Sequence, residues 1–421
     1  MIAGLYRRLP VALRRRDYSL LWTSLVGESL AVNMIAVAIG WQVFSIHHSA
    51  FDLGLIGLAE FVPMLLLALP AGQLADRVPR HLVFAVAIGL TGLVSLVLIG
   101  VTVEGATQLW PFLLLAATTG VANVLASASA RALAVTLVPW ELLPSAIALR
   151  SIAFQGGTIA GPAIGGVLFA IRPELVYIVA TVLLAVGTVE VLLIHEPKTH
   201  EPGEAPGWST FLAGVRFIRR TPVMLGAITL DLFAVLFGGA VALLPLFAKQ
   251  ILHTGPVGLG ILRSAPAVGA LLAAVILTRR PLGGHTGRTL LAVVAAFGIS
   301  MVVFGLSKTL WLSVAALAVS GFVDMISVNI RSTIPAVAAP NELRGRVVAV
   351  EMVFISASNE LGAFESGVVA ALIGAVPAVV AGGAITIALA AIWRWLFPDL
   401  ARIDRIDELR PEPAGTTEAA V

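Results

Sequence analysis

The feature that most constrains this chain is a long series of apolar runs, each of about 20 residues or more. An α-helix rises about 1.5 Å per residue, so such a run crosses a hydrocarbon layer of about 30 Å. Inside that layer every backbone N–H and C=O must be satisfied within the segment, which a helix does alone. Twelve spans are expected: near 19–46, 51–75, 82–103, 107–130, 145–171 and 174–195, then near 223–250, 256–278, 289–307, 310–333, 347–373 and 376–397. The composition agrees. Of 421 residues 58% are hydrophobic and only 12% charged, with a mean hydropathy of +0.98, whereas a soluble chain is about a quarter charged. A water-soluble globule is excluded. The absence of Cys also excludes disulfides and thiolate metal sites.

The spans fall into two sets of six, 19–195 and 223–397, separated by a polar segment at 196–222. That divider carries Pro197, Pro202, Pro206 and Pro222, and a short amphipathic helix is expected near Trp208–Arg219. Residues 1–18 are basic and partly amphipathic, and 398–421 form a polar tail. No cleavable signal peptide is evident, because the first apolar run is too long and lacks a small-residue cleavage site. With the amino terminus inside, only Arg172, Lys249 and Lys308 of the 27 Lys and Arg fall in outer connections. The positive-inside bias therefore places both termini in the cytoplasm. It also accounts for the basic sequence pI near 9.7, so nucleic-acid binding is not expected.

The fifth span contains Gly157, Gly161, Pro162, Gly165 and Gly166. In a soluble helix each Gly would cost about 1 kcal/mol against Ala and Pro about 3. In a membrane, small residues let helices approach closely. Gly157, Gly161 and Gly165 share one face, expected to pack tightly against a helix of the second half. The pattern returns about 201 residues later: Pro139, Glu141, Leu142, Gly161 and Gly166 reappear as Pro340, Glu342, Leu343, Gly362 and Gly367. A parallel repeat of this kind implies one six-helix unit used twice, with a site between the copies.

Charges inside spans are costly and face a cavity or one another. Glu60 and Glu360 fall nearest mid-span; Asp231, Arg263, Asp324 and Glu365 join them, with Asn33, Gln155 and Asn359 as further cavity candidates and Asn123 as a helix bridge. Glu28, Asp324 and Glu351 are expected nearer the inner end. A carboxyl held away from water favours its neutral form and can carry a proton. Asp324 and Arg331 share a face of the tenth span, as do Glu351, Ser358 and Glu365 in the eleventh. The alternative for each acid is a permanent ion pair that only orients helices. The His47-His48 pair has no further ligand at metal spacing, no GxxxxGK[ST] loop for ATP is present, and no nucleophile–base arrangement marks an enzyme. No metal or cofactor is expected.

The loop between spans two and three reads Gly72-Gln73-Leu74-Ala75-Asp76-Arg77-Val78-Pro79-Arg80. Gly72, Leu74, Asp76, Arg77 and Arg80 resemble the loop signature of the major facilitator superfamily. The fifth-span glycines and Pro162 resemble the motif of its proton-coupled antiporters. The likeness runs from Leu21-Trp22 to the last span, and Asp231–Leu236 and Ala357–Gly362 resemble the bacterial branch that includes enterobactin exporters. Pro79 stands where the signature has glycine, and Val32 where that branch often carries an acid.

The resemblance implies an all-α membrane protein of two parallel, pseudo-symmetric six-helix halves, acting by alternating access. It implies a monomer in the bacterial cytoplasmic membrane that exports a small amphipathic compound in exchange for protons. Glu360 or Asp231, then Glu60, would carry the proton, and Gly72, Asp76, Arg77 and Arg80 would bias the conformational switch. Symport or lipid movement on the same fold, and a sensor that transports nothing, are the alternatives.

Overall fold

The computed structural model describes residues 10–195, 208–280 and 283–409. Twelve helices long and apolar enough to cross a membrane make up the body. In the first half they are α1 (Arg16–His47), α2 (Ala50–Arg77), α3 (Arg80–Val103), α4 (Trp110–Thr136), α5 (Leu143–Ile171) and α6 (Pro173–Leu192). The second half has α7 (Pro222–Ile251), α8 (Gly255–Arg279), α9 (Thr286–Leu306), α10 (Leu310–Ala338), α11 (Asn341–Ile373) and α12 (Ala375–Leu396). The described residues contain no strand. A separate amphipathic helix, Trp208–Arg220, lies against α11, where a Cβ on Gly214 would sit 2.9 Å from the Arg346 carbonyl oxygen.

Local chemistry sets the helix ends. Ser49 caps α2 by accepting the Asp52 N–H at 3.2 Å, and α4, α5, α6, α7 and α8 each carry proline in the first turn, where its missing N–H costs nothing. Pro63, Pro70, Pro162, Pro266 and Pro335 lie inside helices, tolerable where neighbouring helices re-satisfy the freed carbonyls. The seventh span, expected as one run, is interrupted. Its regular helix stops at Gly238, and a 3₁₀ turn, Pro245 and a π turn over Phe247–Ile251 follow.

The two halves are built alike. α1 packs on α5 and α6, α2 on α4, and α3 on α4 and α6; the same pairings return as α7 with α11 and α12, α8 with α10, and α9 with α10 and α12. The halves meet along two seams, α5 with α8 and α2 with α11, which the repeat makes equivalent. We call the end at which α1 begins and α12 finishes the terminal end and its opposite the far end. One buried apolar cluster lies within the first half and a second within the C-terminal half. A third joins both at the far end, through Phe44 and Leu53 on one side and Phe247, Leu259 and Ala370 on the other. Exposed tryptophans mark both rims: Trp110 and Trp311 at the far end, Trp140 and Trp395 at the terminal end, where aromatic belts meet the membrane–water interface.

Candidate functional site

The seams hold the site. On the α5–α8 side the backbones touch: a Cβ on Gly260 would strike the Pro162 carbonyl, and one on Gly166 would lie 2.5 Å from the Pro256 carbonyl oxygen. Two hydrogen bonds cross it, Ser264 Oγ donating to the Ile159 carbonyl at 2.6 Å and Gln155 Nε2 to the Ala267 carbonyl at 2.9 Å. On the α2–α11 side a Cβ on Gly367 would lie 2.7 Å from Gly54 Cα, and Gly57 faces Ala363 and the Glu360 carboxylate. The described contacts that join the halves lie at the far end and at mid-depth.

Glu60 and Glu360 sit at the α2–α11 seam, one from each half. Asn123 of α4 donates to Glu60 Oε1 at 2.7 Å. Helix α4 reaches this point because Gly120 lets it lie directly on the Glu60 backbone. Arg263 of α8 is within electrostatic range of both carboxylates, and the two carboxylates are within range of each other. Arg263 is in direct ion-pair contact with neither. Two acids from opposite halves thus share one arginine, an arrangement whose charge is balanced only when one acid holds a proton.

Asp231 and Asp324, expected in the same cavity, belong elsewhere. Arg331 of α10 pairs with Asp231 of α7, reaches Asp324 at 3.7 Å and donates from Nε to Ser327 Oγ at 3.1 Å. Asp231 and Arg331 are both buried. Val293, Val294 and Phe297 of α9 line the same small cleft as Asp231, Ser327 and Asp324. This triad lies inside the second half, and the expected common face of Asp324 and Arg331 is present.

Among the other expected site residues, Gln155 bridges the halves, whereas Asn33 and Asn359 donate to carbonyls of their own helices, Ser29 at 2.9 Å and Ile355 at 3.0 Å. Glu365 is half-buried beside Ser366, whose hydroxyl donates to the Gly239 carbonyl at 2.7 Å. Gly72, Asp76 and Arg77, expected in a loop, instead lie in the last turns of α2, with only Val78 and Pro79 between the helices; the Asp76 side chain lies outside the described residues, Arg77 is exposed, and Arg80 begins α3 with its Nε buried and unbonded.

The glycine face has a different partner from the one expected. Gly157, Gly161 and Gly165 meet Ser29, Leu30, Asn33 and Met34 of α1 within their own half, and only Pro162 and Gly166 face α8. The reason is angular. Residues four apart stay on one face, while Gly166 is turned about 100° from Gly165.

Sequence reasoning missed the pairing of Glu60 with Arg263, although a signal exists. Glu60 stands three residues before Pro63, Arg263 three before Pro266, and Gly57 and Gly260 three before each. The repeat has put opposite charges at one position.

Residues 10–415 match the family described as transmembrane secretion effector. The chain belongs to the major facilitator superfamily. This facilitator is a transporter rather than an enzyme. It is 28% identical over 337 residues to the enterobactin exporter EntS of Citrobacter koseri, covering 76% of each chain. It is 27% identical over 345 residues to the multidrug efflux pump Tap of Mycolicibacterium fortuitum, covering 79% of this chain and 83% of that one. Its fold matches the nucleoside transporter NupG (TM-score 0.72, 14% identity, 90% and 98% coverage). It also matches a bacterial homologue of the human lysosomal transporter Spinster, in an inward-facing and occupied conformation (0.71, 16%, 95% and 99%).

Proposed function

We propose that this facilitator exports small amphipathic organic molecules from the bacterial cytoplasm in exchange for protons. The observation that carries this reading is the Glu60–Glu360–Arg263 cluster across the seam. With one proton bound the cluster is neutral and can be sealed away from water. With none it carries a net negative charge, which favours hydration and parting of the seam. On this reading the terminal end faces the cytoplasm, as the positive-inside pattern implies, and the far end, where an apolar cluster joins the halves, faces outward.

A cycle follows from these charges. In the inward-open state the proton leaves to the cytoplasm and substrate enters the cleft. Substrate binding favours closure of the terminal end, and the ionised cluster favours opening of the far end. After release outside, a proton from the more acidic side neutralises the carboxylates and the far seam closes again. The α5–α8 seam, tied by Ser264 and Gln155, acts as the pivot. The likeness to the exporter EntS and the efflux pump Tap supports export, and the valine- and alanine-rich spans suit an amphipathic rather than a sugar-like cargo. No observation favours the symport or sensor alternatives.

The test uses inside-out vesicles with an acidic lumen and a lumenal pH dye. A panel of amphipathic drugs, siderophores and lysolipids is added from the cytoplasmic face. Export in exchange for protons makes the lumen more alkaline only when a substrate is present. Substrate accumulation with no lumenal proton loss overturns the antiport reading.

A further inference from the structure

The first helices of the two halves, α1 and α7, meet at their far ends. A Cβ on Gly40 would lie 3.2 Å from Pro245 Cγ, and Val37 and Phe44 of α1 share one buried apolar cluster with Leu243, Leu244 and Phe247 of α7. Beside them Lys249 Nζ of α7 stands over the Trp41 ring of α1, 5.9 Å from its centroid. Both side chains are half-buried, and Trp41 packs on the same cluster. A lysine at a helix end commonly turns its head out to water; here the head lies over a ring from the other half, and tryptophan is the ring that attracts an ammonium most strongly. The pair has one member in each half, so parting these helix ends separates it.

The backbone of α7 holds Lys249 in place. Its regular helix ends at Gly238, and Phe247–Ile251 form a π turn in which the Leu252 N–H donates to the Phe247 carbonyl at 2.8 Å. The Thr254 N–H then reaches back to the Ala248 carbonyl at 2.9 Å. Between them His253, whose Nδ1 lies 3.2 Å from the Lys249 carbonyl oxygen, has a left-handed φ of 52°. A π turn and a non-glycine residue in that region both cost backbone energy, and they persist where their surroundings fix them. The turn that bears Lys249 is thus tied on both sides.

We propose that Lys249 and Trp41 are positioning residues for transport: they latch the far ends of α1 and α7 together and set how often the far end opens. Parting the helices takes the ammonium off the ring and into water, so the latch favours the joined state by the modest factor of a cation–π contact. That the far end opens at all rests on the cycle proposed above; the contact between the two residues does not.

The experiment uses the absence of Cys from the chain, which lets one introduced thiol report alone. Val37→Cys puts it in the buried cluster between the halves, and Glu104→Cys, exposed in the α3–α4 connection at the far end, is the control. Vesicles of the orientation in which Glu104→Cys reacts are treated with an impermeant, charged methanethiosulfonate, at concentrations where the rate is proportional to reagent. Lys249→Met and Trp41→Leu, each checked for folding by size-exclusion chromatography, should speed labelling of Val37→Cys by about two- to fivefold. Lys249→Arg should stay near the parent rate, and the double variant should be no faster than the faster single one. Glu104→Cys should react alike in every background. An unchanged rate in Lys249→Met, or effects of the two substitutions that multiply, overturns the latch. Equal acceleration by Lys249→Arg and Lys249→Met overturns it too, because lost packing rather than the lost cation would then be the cause. Labelling that follows the latch in a protein that exchanges no protons supports the latch and counts against the exchange reading. Proton exchange with labelling indifferent to Lys249 does the reverse.

Discussion

Two groups of acids surround an arginine in this molecule, and they are assembled in opposite ways. Asp231 and Asp324 converge on Arg331 within one half, Asp231 buried in direct contact with it and Asp324, partly exposed, at 3.7 Å. Glu60 and Glu360 come from different halves, approach Arg263 without touching it, and have one amide, Asn123, as their direct partner. A triad inside a rigid half keeps its geometry whatever the halves do. On the proposed cycle the seam cluster parts when the far end opens. An ion pair that never parts can orient helices; carboxylates whose neighbours leave on each cycle can exchange a proton on each cycle.

The largest expected effect breaks the triad. Arg331→Met leaves Asp231 buried without a counter-charge, and a loss of about 3–5 kcal/mol is expected, read as a lower thermal midpoint or a loss of monodisperse protein. If Arg331→Met is as stable as wild type, the triad is not structural and the contrast fails.

The next effect lies at the pivot. Gly260→Ala drives a methyl group into the Pro162 carbonyl, and overpacking of this kind costs about 1–3 kcal/mol. Because α8 also carries Arg263, proton exchange should fall with stability; unchanged stability would mean the seam is looser than its backbone contacts imply. Ser264→Ala removes one cross-seam bond and should cost about 1 kcal/mol, the usual net worth of a hydrogen bond. A double-mutant cycle with Gln155→Met checks whether both bonds serve one hinge: coupling is expected, strict additivity is not. The smallest change is Asn123→Ala, which frees Glu60 from its amide. It should leave the thermal midpoint within about 1 kcal/mol of wild type yet shift the pH dependence of exchange, and an unmoved pH profile would separate Asn123 from the proton site.

Hydropathy made much of the architecture legible, because a lipid-crossing helix needs only length and apolarity. The expected spans lie within a few residues of the helices at most ends. Among the exceptions, α11 begins at Asn341 rather than 347, while α4 runs on to Thr136 and α10 to Ala338, past the expected ends at 130 and 333. Hydropathy falls where Arg131 and the polar stretch around Arg331 enter, although the backbone stays helical. The glycine motif was legible as a close-packing face, but its partner α1 was not, since spacing fixes a face and not what covers it. For the same reason Asp231 and Glu360 read alike as mid-span acids. Only the packing of α7 on α10, against that of α2 on α11, separates a closed ion pair from a parted one. The opposed charges before Pro63 and Pro266 were available in the repeat, yet their meeting at one seam depends on how the two halves face each other.

The most direct test of the account compares Glu360→Gln with Asp231→Asn in the same inside-out vesicles, using one substrate that drives lumenal alkalinisation in the wild type. Glu360→Gln should retain substrate binding and lose substrate-driven proton exchange, while Asp231→Asn, once shown to be folded, should keep it. Exchange that persists in Glu360→Gln and disappears in folded Asp231→Asn would place the proton in the triad and contradict the account.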